Sequence, residues 1–202
     1  MANEIRIKPY PCCRASHRAL DAILELARHH AIRPDQIESI ECEISAHVTQ
    51  LMAYAVASNE SEAKFCLPYC LAVAASDARA GLAQFTDERV DDPQVQALAA
   101  RVRVIHPEGK SEWETGASLP CIVRVRLKKG AVLEKSIGVA RGDRDNPMSS
   151  NDIVEKYRDC TRAVLSNEQI DHTLSLRQDL ESLRDLKELS TILTFGLTPS
   201  PK

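Results

Sequence analysis

Apolar residues between Arg14 and His30 recur at three- and four-residue spacing. Leu20, Ile23, Leu24 and Ala27 share one face, which predicts an amphipathic helix. Arg28, His29 and His30 close that helix where its dipole favours cations, so these two histidines need no ligand role. Pro34-Asp35 marks the turn out. Between residues 37 and 48 the period changes to two. Ile40, Cys42, Ile44, Ala46 and Val48 alternate with Glu41, Glu43, Ser45 and His47, predicting a strand with one buried face and a solvated His47. An alanine-rich stretch from Ser61 to Gly81 reads as a buried helix ending at glycine. Pro68 is tolerated only in a first turn, so the regular part of that helix is expected to start near Leu67 after an irregular lead-in.

Asp92 and Pro93 open a short helix with Val95, Leu98 and Ala99 on one face. Arg101–His106 reads as a strand. Cys121–Leu127 and Val132–Val139, joined through Lys128-Lys129-Gly130, read as a hairpin. After Gly138 the composition shifts to a polar loop, Arg141 to Pro147. Ser149 or Ser150 then caps a helix running to about Leu165. Ser166 and Gln169 form a capping box for the next helix, and a third helical piece covers Asp185 to about Phe195, stopped by the Pro-Ser-Pro tail. Strands mixed with helices and a hairpin predict an α+β fold with a small antiparallel sheet and packed helices. The expected division is an α/β unit over 1–145 and a helical segment over 146–197.

Composition narrows the class. With 44% hydrophobic and 27% charged residues the chain is globular rather than disordered. A net charge of −3, from 26 basic and 29 acidic residues, argues against nucleic acid as a partner. No apolar run approaches the roughly 20 residues of a membrane span, and the N-terminus lacks the apolar core of a secretory signal. The seven cysteines, an odd number with no C-x-x-C pair, are expected to be reduced thiols in a cytoplasmic protein. Cys66 and Cys70 lie one helical turn apart, but no histidine or cysteine pair at zinc spacing accompanies them, so no metal site is expected.

Two segments hold candidate chemistry. In Lys8-Pro9-Tyr10-Pro11-Cys12-Cys13-Arg14-Ala15-Ser16-His17, two prolines stiffen the approach to a helix. Lys8, Arg14 and His17 gather near that helix start, a natural place for a small polycarboxylate. The plain alternative is a proline-rich turn with solvated basic residues. In Glu62-Ala63-Lys64-Phe65-Cys66-Leu67-Pro68-Tyr69-Cys70, a tyrosine just after a helix-opening proline can present its hydroxyl to a cavity as a general acid or base. The plain alternative is a core tyrosine whose hydroxyl is satisfied locally.

These two segments, in this order and at this spacing, resemble those of the MmgE/PrpD family. Asp91-Asp92-Pro93-Gln94-Val95-Gln96-Ala97-Leu98-Ala99, the hairpin, and Asn146-Pro147-Met148-Ser149 follow in similar order, so the resemblance runs from about Ile5 to about Leu193. The family includes 2-methylcitrate dehydratase, cis-aconitate decarboxylase and iminodisuccinate epimerase: lyases and isomerases that move a proton beside a carboxylate and need no metal or organic cofactor. Its members have a large all-helical domain and a smaller α/β lid, with the active site between them. The resemblance implies that this chain is the C-terminal, lid-containing half and that the N-terminal helical domain is absent. It implies catalytic roles for Lys8 and Tyr69, a motif position for His17, and a carboxylate-holding role for Arg14. Cys66 stands where the family commonly has serine, which would weaken a polar contact to substrate.

The expected ligand is a small di- or tricarboxylate, and the chain alone is expected to be inactive or weakly active. Two expectations for partners follow: a separately encoded helical chain covering the Lys8–Tyr69 surface, or self-association. The competing reading is a non-catalytic remnant or binding module without turnover. Leucines and isoleucines from Ile153 to Leu193 would pack on the missing half, so they are expected to be exposed, self-associated or folded back.

Overall fold

The protein is described by a computed structural model, which covers residues 6–107, 119–178 and 180–195. The Pro-Ser-Pro tail expected to stop the last helix lies outside the described residues. The chain divides into two compact units, one ending at Met148 and one beginning at Ser149.

The first unit is a two-layer α+β structure. A single 3-10 turn, Arg14–Ser16, leads into α1 (His17–His29), whose buried residues include Leu20, Ile23, Leu24 and Ala27, the face the periodicity marks. Strand β1 (Ile37–Glu43) buries Ile37, Ile40 and Cys42. It stops earlier than its alternation suggests. Ile44 still donates its amide to the Ile105 carbonyl at 3.0 Å; the chain then leaves the sheet at Ser45, and Ala46–Leu51 forms a short helix, α2, that buries Val48 and leaves His47 exposed. The five residues from Ile44 to Val48 fit a strand pattern and a short helix equally well, and the ladder to β2 ends at the Ile44 amide, so the chain turns into the helix.

A one-turn helix α3 (Glu60–Ala63), capped by Asn59, precedes α4 (Leu67–Asp77), with Pro68 in its first turn as expected. The stop differs from expectation. Ala78, at φ 48°, takes the left-handed position that glycine usually fills, and Gly81 instead opens a 3-10 turn, Leu82–Gln84. Helix α5 (Asp87–Val90) follows, capped by Thr86, then α6 (Pro93–Ala99), whose Asp92 cap accepts from the amides of Gln94 and Val95. Strands β2 (Val102–Ile105), β3 (Cys121–Leu127) and β4 (Val132–Ile137) complete the sheet, in the order β2-β1-β3-β4.

The sheet is mixed. β1–β3 and β3–β4 are antiparallel, whereas the edge strand β2 runs parallel to β1, with Ile40 opposite Val102. The long helical crossover from β1 to β2 permits that direction, while the tight turn between β3 and β4 enforces the antiparallel one. Helices α1 and α4 pack on one face, over Ile40, Cys42, Val123 and Val125. On the other face Arg124 is paired with Glu41, Glu43 and Glu134 at 3.2, 3.0 and 2.6 Å. That alternation explains why β1 and β3 read clearly as strands: one side is core, the other a charge ladder.

The second unit comprises three helices: α7 (Ser150–Thr161), α8 (Asn167–Gln178) and α9 (Lys187–Phe195). Ser149 and Asp152 form a reciprocal capping box on α7, and Ser166 and Gln169 repeat it before α8. The core of this unit is small: Leu165, Ile170 and Leu174, with Val154, Tyr157 and Ile192 against them. Leu180, Leu186 and Leu193 remain exposed. No helix among the described residues is long and apolar enough to cross a membrane.

Candidate functional site

The segment from Arg6 to Arg14 is held against the loop Ala140–Asn146 by contacts that begin with a glycine. The Ile7 amide donates to the Gly142 carbonyl at 3.1 Å, and Gly142 has φ +83°. A Cβ there would stand 2.0 Å from the Ile7 carbonyl oxygen, so only glycine allows the approach. The Arg141 amide donates to Asp21 Oδ2 at 2.7 Å, and its guanidinium lies over the Tyr10 ring at 5.7 Å. Asp21 Oδ1 accepts from the Tyr10 hydroxyl at 2.6 Å. Burial, reinforced by the Asp21 carboxylate, pushes that hydroxyl well above the usual phenol range.

Arg14 sits at the centre of this junction. Its Nη1 donates to His17 Nδ1 at 3.2 Å and to the Arg141 carbonyl at 3.3 Å, and its Nη2 is ion-paired with Asp143. A guanidinium has no acceptor, so His17 Nδ1 must accept and the ring proton is on Nε2. His17 is fully buried, edge-on to Tyr10, and Nε2 has no hydrogen-bond partner. In this arrangement His17 helps hold the guanidinium of Arg14 in place. Cys12 and Cys70 are buried beside it. Hydrogen bonding from Cys70 lowers the Cys12 thiol against the effect of burial, while Cys70 moves in the opposite direction.

Between this junction and α2 lies a cleft of about 640 Å³. Its lining includes Arg6, Arg14, Arg18 and Arg144, the aspartates Asp143 and Asp145, the segment Gly138–Ala140, and His47, Val48 and Leu51. Four arginines and two aspartates are among its lining residues, and a volume of this size suits a small molecule.

The other candidates are placed differently. Lys8 is exposed, and its ammonium donates to the Cys12 carbonyl at 3.2 Å; nothing in the described structure desolvates it. The Tyr69 side chain is buried, edge-on to Phe85, and its hydroxyl donates to the Gln84 carbonyl at 2.7 Å rather than facing the cleft. Burial raises it above the usual phenol range. Cys66 is buried at the N-terminal boundary of α4, and burial raises its thiol as well. The structure thus brings Arg14 and His17 together and keeps Lys8, Tyr69 and Cys66 away from the arginine cleft. Sequence reasoning missed Arg18, Arg144 and His47. Arg18 lies one helical turn past Arg14, a spacing that could have flagged it; Arg144 and His47 reach the cleft only through the fold. All seven thiols are free. The buried sulfurs of Cys42 and Cys121 lie 3.7 Å apart on neighbouring strands.

Fold and cleft together define an α+β unit with an arginine-lined cleft at the start of its first long helix. The family profile of the MmgE/PrpD C-terminal domain matches residues 10–182, and the chain belongs to the MmgE/PrpD family. Among its relatives, the cis-aconitate decarboxylase of Mus musculus is 24% identical over 197 residues, covering 94% of this chain and 39% of that protein. The cis-aconitate decarboxylase of Homo sapiens is 25% identical over 203 residues, covering 98% of this chain and 41% of its own length. That of Aspergillus terreus is 25% identical, covering 94% and 40%. The chain therefore spans about two-fifths of the length of these curated relatives.

Proposed function

We propose that this chain is the lid-containing part of an MmgE/PrpD-type lyase or isomerase that moves a proton beside a carboxylate of a small di- or tricarboxylic acid. The observation that carries this reading is the cleft of about 640 Å³ lined by Arg6, Arg14, Arg18 and Arg144, with Arg14 held in place by His17, the Arg141 carbonyl and Asp143. A fixed guanidinium binds a carboxylate without first losing its own freedom. Membership of the family whose relatives include cis-aconitate decarboxylases supports the same class of ligand.

In this reading the site is incomplete. Lys8 is exposed, and a lysine serves as a base, or as an effective stabiliser of an enolate, only when it is withdrawn from water. A second surface closing over Lys8, from a helical partner chain or another copy, would supply that desolvation in a cytoplasmic enzyme. The Tyr69 hydroxyl, bonded to Gln84, must change partner before it can reach a substrate. Those two placements also favour the second reading, a module that binds carboxylates without turnover.

Proton NMR in heavy water separates the two readings, with the full chain and a panel of cis-aconitate, citrate, 2-methylcitrate and aspartate-derived imino acids. The expected result is no deuterium incorporation by the chain alone and incorporation when a helical-domain partner is added, lost in Lys8→Met. Absence of incorporation with every partner tested leaves the binding module as the function. Incorporation by the chain alone, abolished by Lys8→Met, overturns the incomplete-site reading.

A further inference from the structure

The chain has 6 histidines, and all but His47 have a partner. His17 Nδ1 meets Arg14, and His29 and His30 meet edge to face at the end of α1. His106 Nδ1 meets the Ile44 carbonyl at 2.9 Å, and His172 Nε2 meets Glu188 at 2.8 Å in the second unit. The His47 ring makes no hydrogen bond, ion pair or ring contact with another described residue, and it is exposed. Its placement is a product of the fold. The chain turns into α2 after Ser45 with Val48 buried beneath, so His47 lines the cleft instead of extending the polar face of the sheet. Helix α2 packs against the Arg14–Ser16 turn, which brings the element carrying His47 to the one carrying Arg14.

The other charged groups of the cleft are tied to partners. Arg6 Nε meets Asp143 at 3.1 Å, and Arg14 is ion-paired with the same carboxylate. Arg144 has Asp145 beside it at 3.8 Å, and Arg18 on α1 donates to the Leu119 carbonyl. Guanidiniums and carboxylates as classes keep their charge between about pH 6 and pH 8. Cys13 lines the cleft as well, and a thiol can give up a proton there but not take one. Helix α2 carries no charged side chain besides His47. Among the described lining residues, His47 is therefore the group that gains a positive charge on mild acidification.

We propose that His47 is a ligand-binding residue of the cleft that takes up a proton as a carboxylate enters. This rests on the cleft being the carboxylate site, as proposed above, and adds to it a contact and a pH dependence. A carboxylate beside an imidazole favours the charged ring, so the bound state holds a proton that the free state releases. Capture is strongest at mildly acidic pH and weakens as the pH rises through the histidine range. A ring without a described partner gives up no protein contact when it turns to a ligand, whereas Arg14 must share itself with Asp143.

Amide and imidazole NMR titrations of the full chain with tartrate, at about pH 6 and about pH 8, test it; both tartrate carboxylates stay ionised across that range. The wild-type chain is expected to bind about fourfold tighter at the lower pH, the effect of one partly solvated ion pair. Saturating tartrate is expected to raise the titration midpoint of the His47 ring by about 0.7 of a pH unit, which is the same coupling read from the other side. His47→Gln keeps a neutral polar side chain and is expected to bind equally at both pH values, close to the wild-type level at the higher one. The two wild-type measurements keep the test decisive if that variant fails to fold. Three results overturn the inference while leaving the carboxylate site standing: equal wild-type affinity at both pH values, a His47 midpoint unmoved by tartrate, or the full pH dependence persisting in His47→Gln. If tartrate moves the amides of Cys13–Arg18 at neither pH, the carboxylate reading of the cleft fails, and the inference falls with it.

Discussion

The unit that ends at Met148 and the unit that begins at Ser149 treat their apolar residues differently. In the first, a sheet face and the helices over it share one continuous core, from Tyr10 and Cys12 through Leu20, Ile40 and Leu71 to Val125. In the second, the buried apolar residues among those described are Leu165, Ile170 and Leu174, and Leu180, Leu186 and Leu193 stay exposed. Both carry clear helical periodicity. Periodicity states that a face needs a cover; it does not state that the cover is in the same unit. The first unit closes its core because a sheet offers a broad apolar surface to several helices at once. Three short helices have too little interior for their surface, which places the second unit near the margin of stability.

Core truncation separates the two units most sharply. Leu20→Ala and Leu71→Ala, both at fully buried positions, are expected to cost about 2–5 kcal/mol each by chemical denaturation. Leu174→Ala, in the smaller cluster, is expected to cost about 2 kcal/mol or less, because its neighbours have room to collapse into the gap. Equal losses at the two sites would mean that the second unit is as tightly packed as the first.

Next in size is the latch beside the cleft. Gly142→Ala forces a side chain onto the Ile7 carbonyl at a positive φ and is expected to cost at least about 2 kcal/mol. It should also release the Arg6–Lys8 segment, seen as a shift of the Ile7 amide towards its unfolded position. An unmoved Ile7 amide would show that the latch lies elsewhere.

Alkali is expected to weaken the first unit with a definite sign. Burial raises the Tyr10 and Tyr69 hydroxyls and the Cys66 thiol above their ordinary ranges. All three are protonated in both states near pH 7; the unfolded Cys66 thiol begins to ionise above about pH 7.5 and the unfolded tyrosines above about pH 9. As the pH rises further, the unfolded chain loses protons that the folded one keeps, so stability falls, by about 1.4 kcal/mol per pH unit for each group ionised only when unfolded. Denaturation at pH 7 and pH 10.5 measures the loss. Tyr69→Phe removes the Tyr69 share and should flatten the curve.

The smallest effects are at helix caps. Asp92→Ala and Ser149→Ala each remove a side-chain acceptor from a helix N-terminus and should cost about 1 kcal/mol. The same local loss has unequal consequences. Hydrogen exchange in α6 should barely change beyond its first turn, whereas α7, in the unit with the smaller core, should exchange faster along its length.

Much of this was legible in the chain. The β3–β4 hairpin, the helix start at Asp92-Pro93, the serine cap read at Ser149 or Ser150 and the capping box at Ser166 each depend on residues within a few positions of one another, and each formed; the structure chose Ser149 and added its box with Asp152. Misreadings occurred where local pattern was neutral. Ile44 to Val48 fits a strand or a helical turn, and the sheet did not extend to accept it. Ala78 has the side chain of a helix former, yet it adopts the left-handed stop. The parallel pairing of β2 is a property of a long crossover, not of either strand. In the candidate site, Arg14 and His17 are three residues apart at the start of one helix, so their meeting is local. The partners that complete the cleft, Asp143 and Arg144, come from more than a hundred residues away.

By itself the sequence determined the elements, their capping, the α+β class and the motifs that carry the family, because hydrogen bonding along the backbone and side-chain periodicity act over a few residues. The tertiary structure alone decided which faces found a cover, the direction of the edge strand, and the partners of the candidate groups. It turned the Tyr69 hydroxyl to Gln84, left Lys8 in water, and seated Asp143 between Arg6 and Arg14. The physical reason is that charge complementarity and burial depend on distance in space, and a chain specifies those distances only once it has folded.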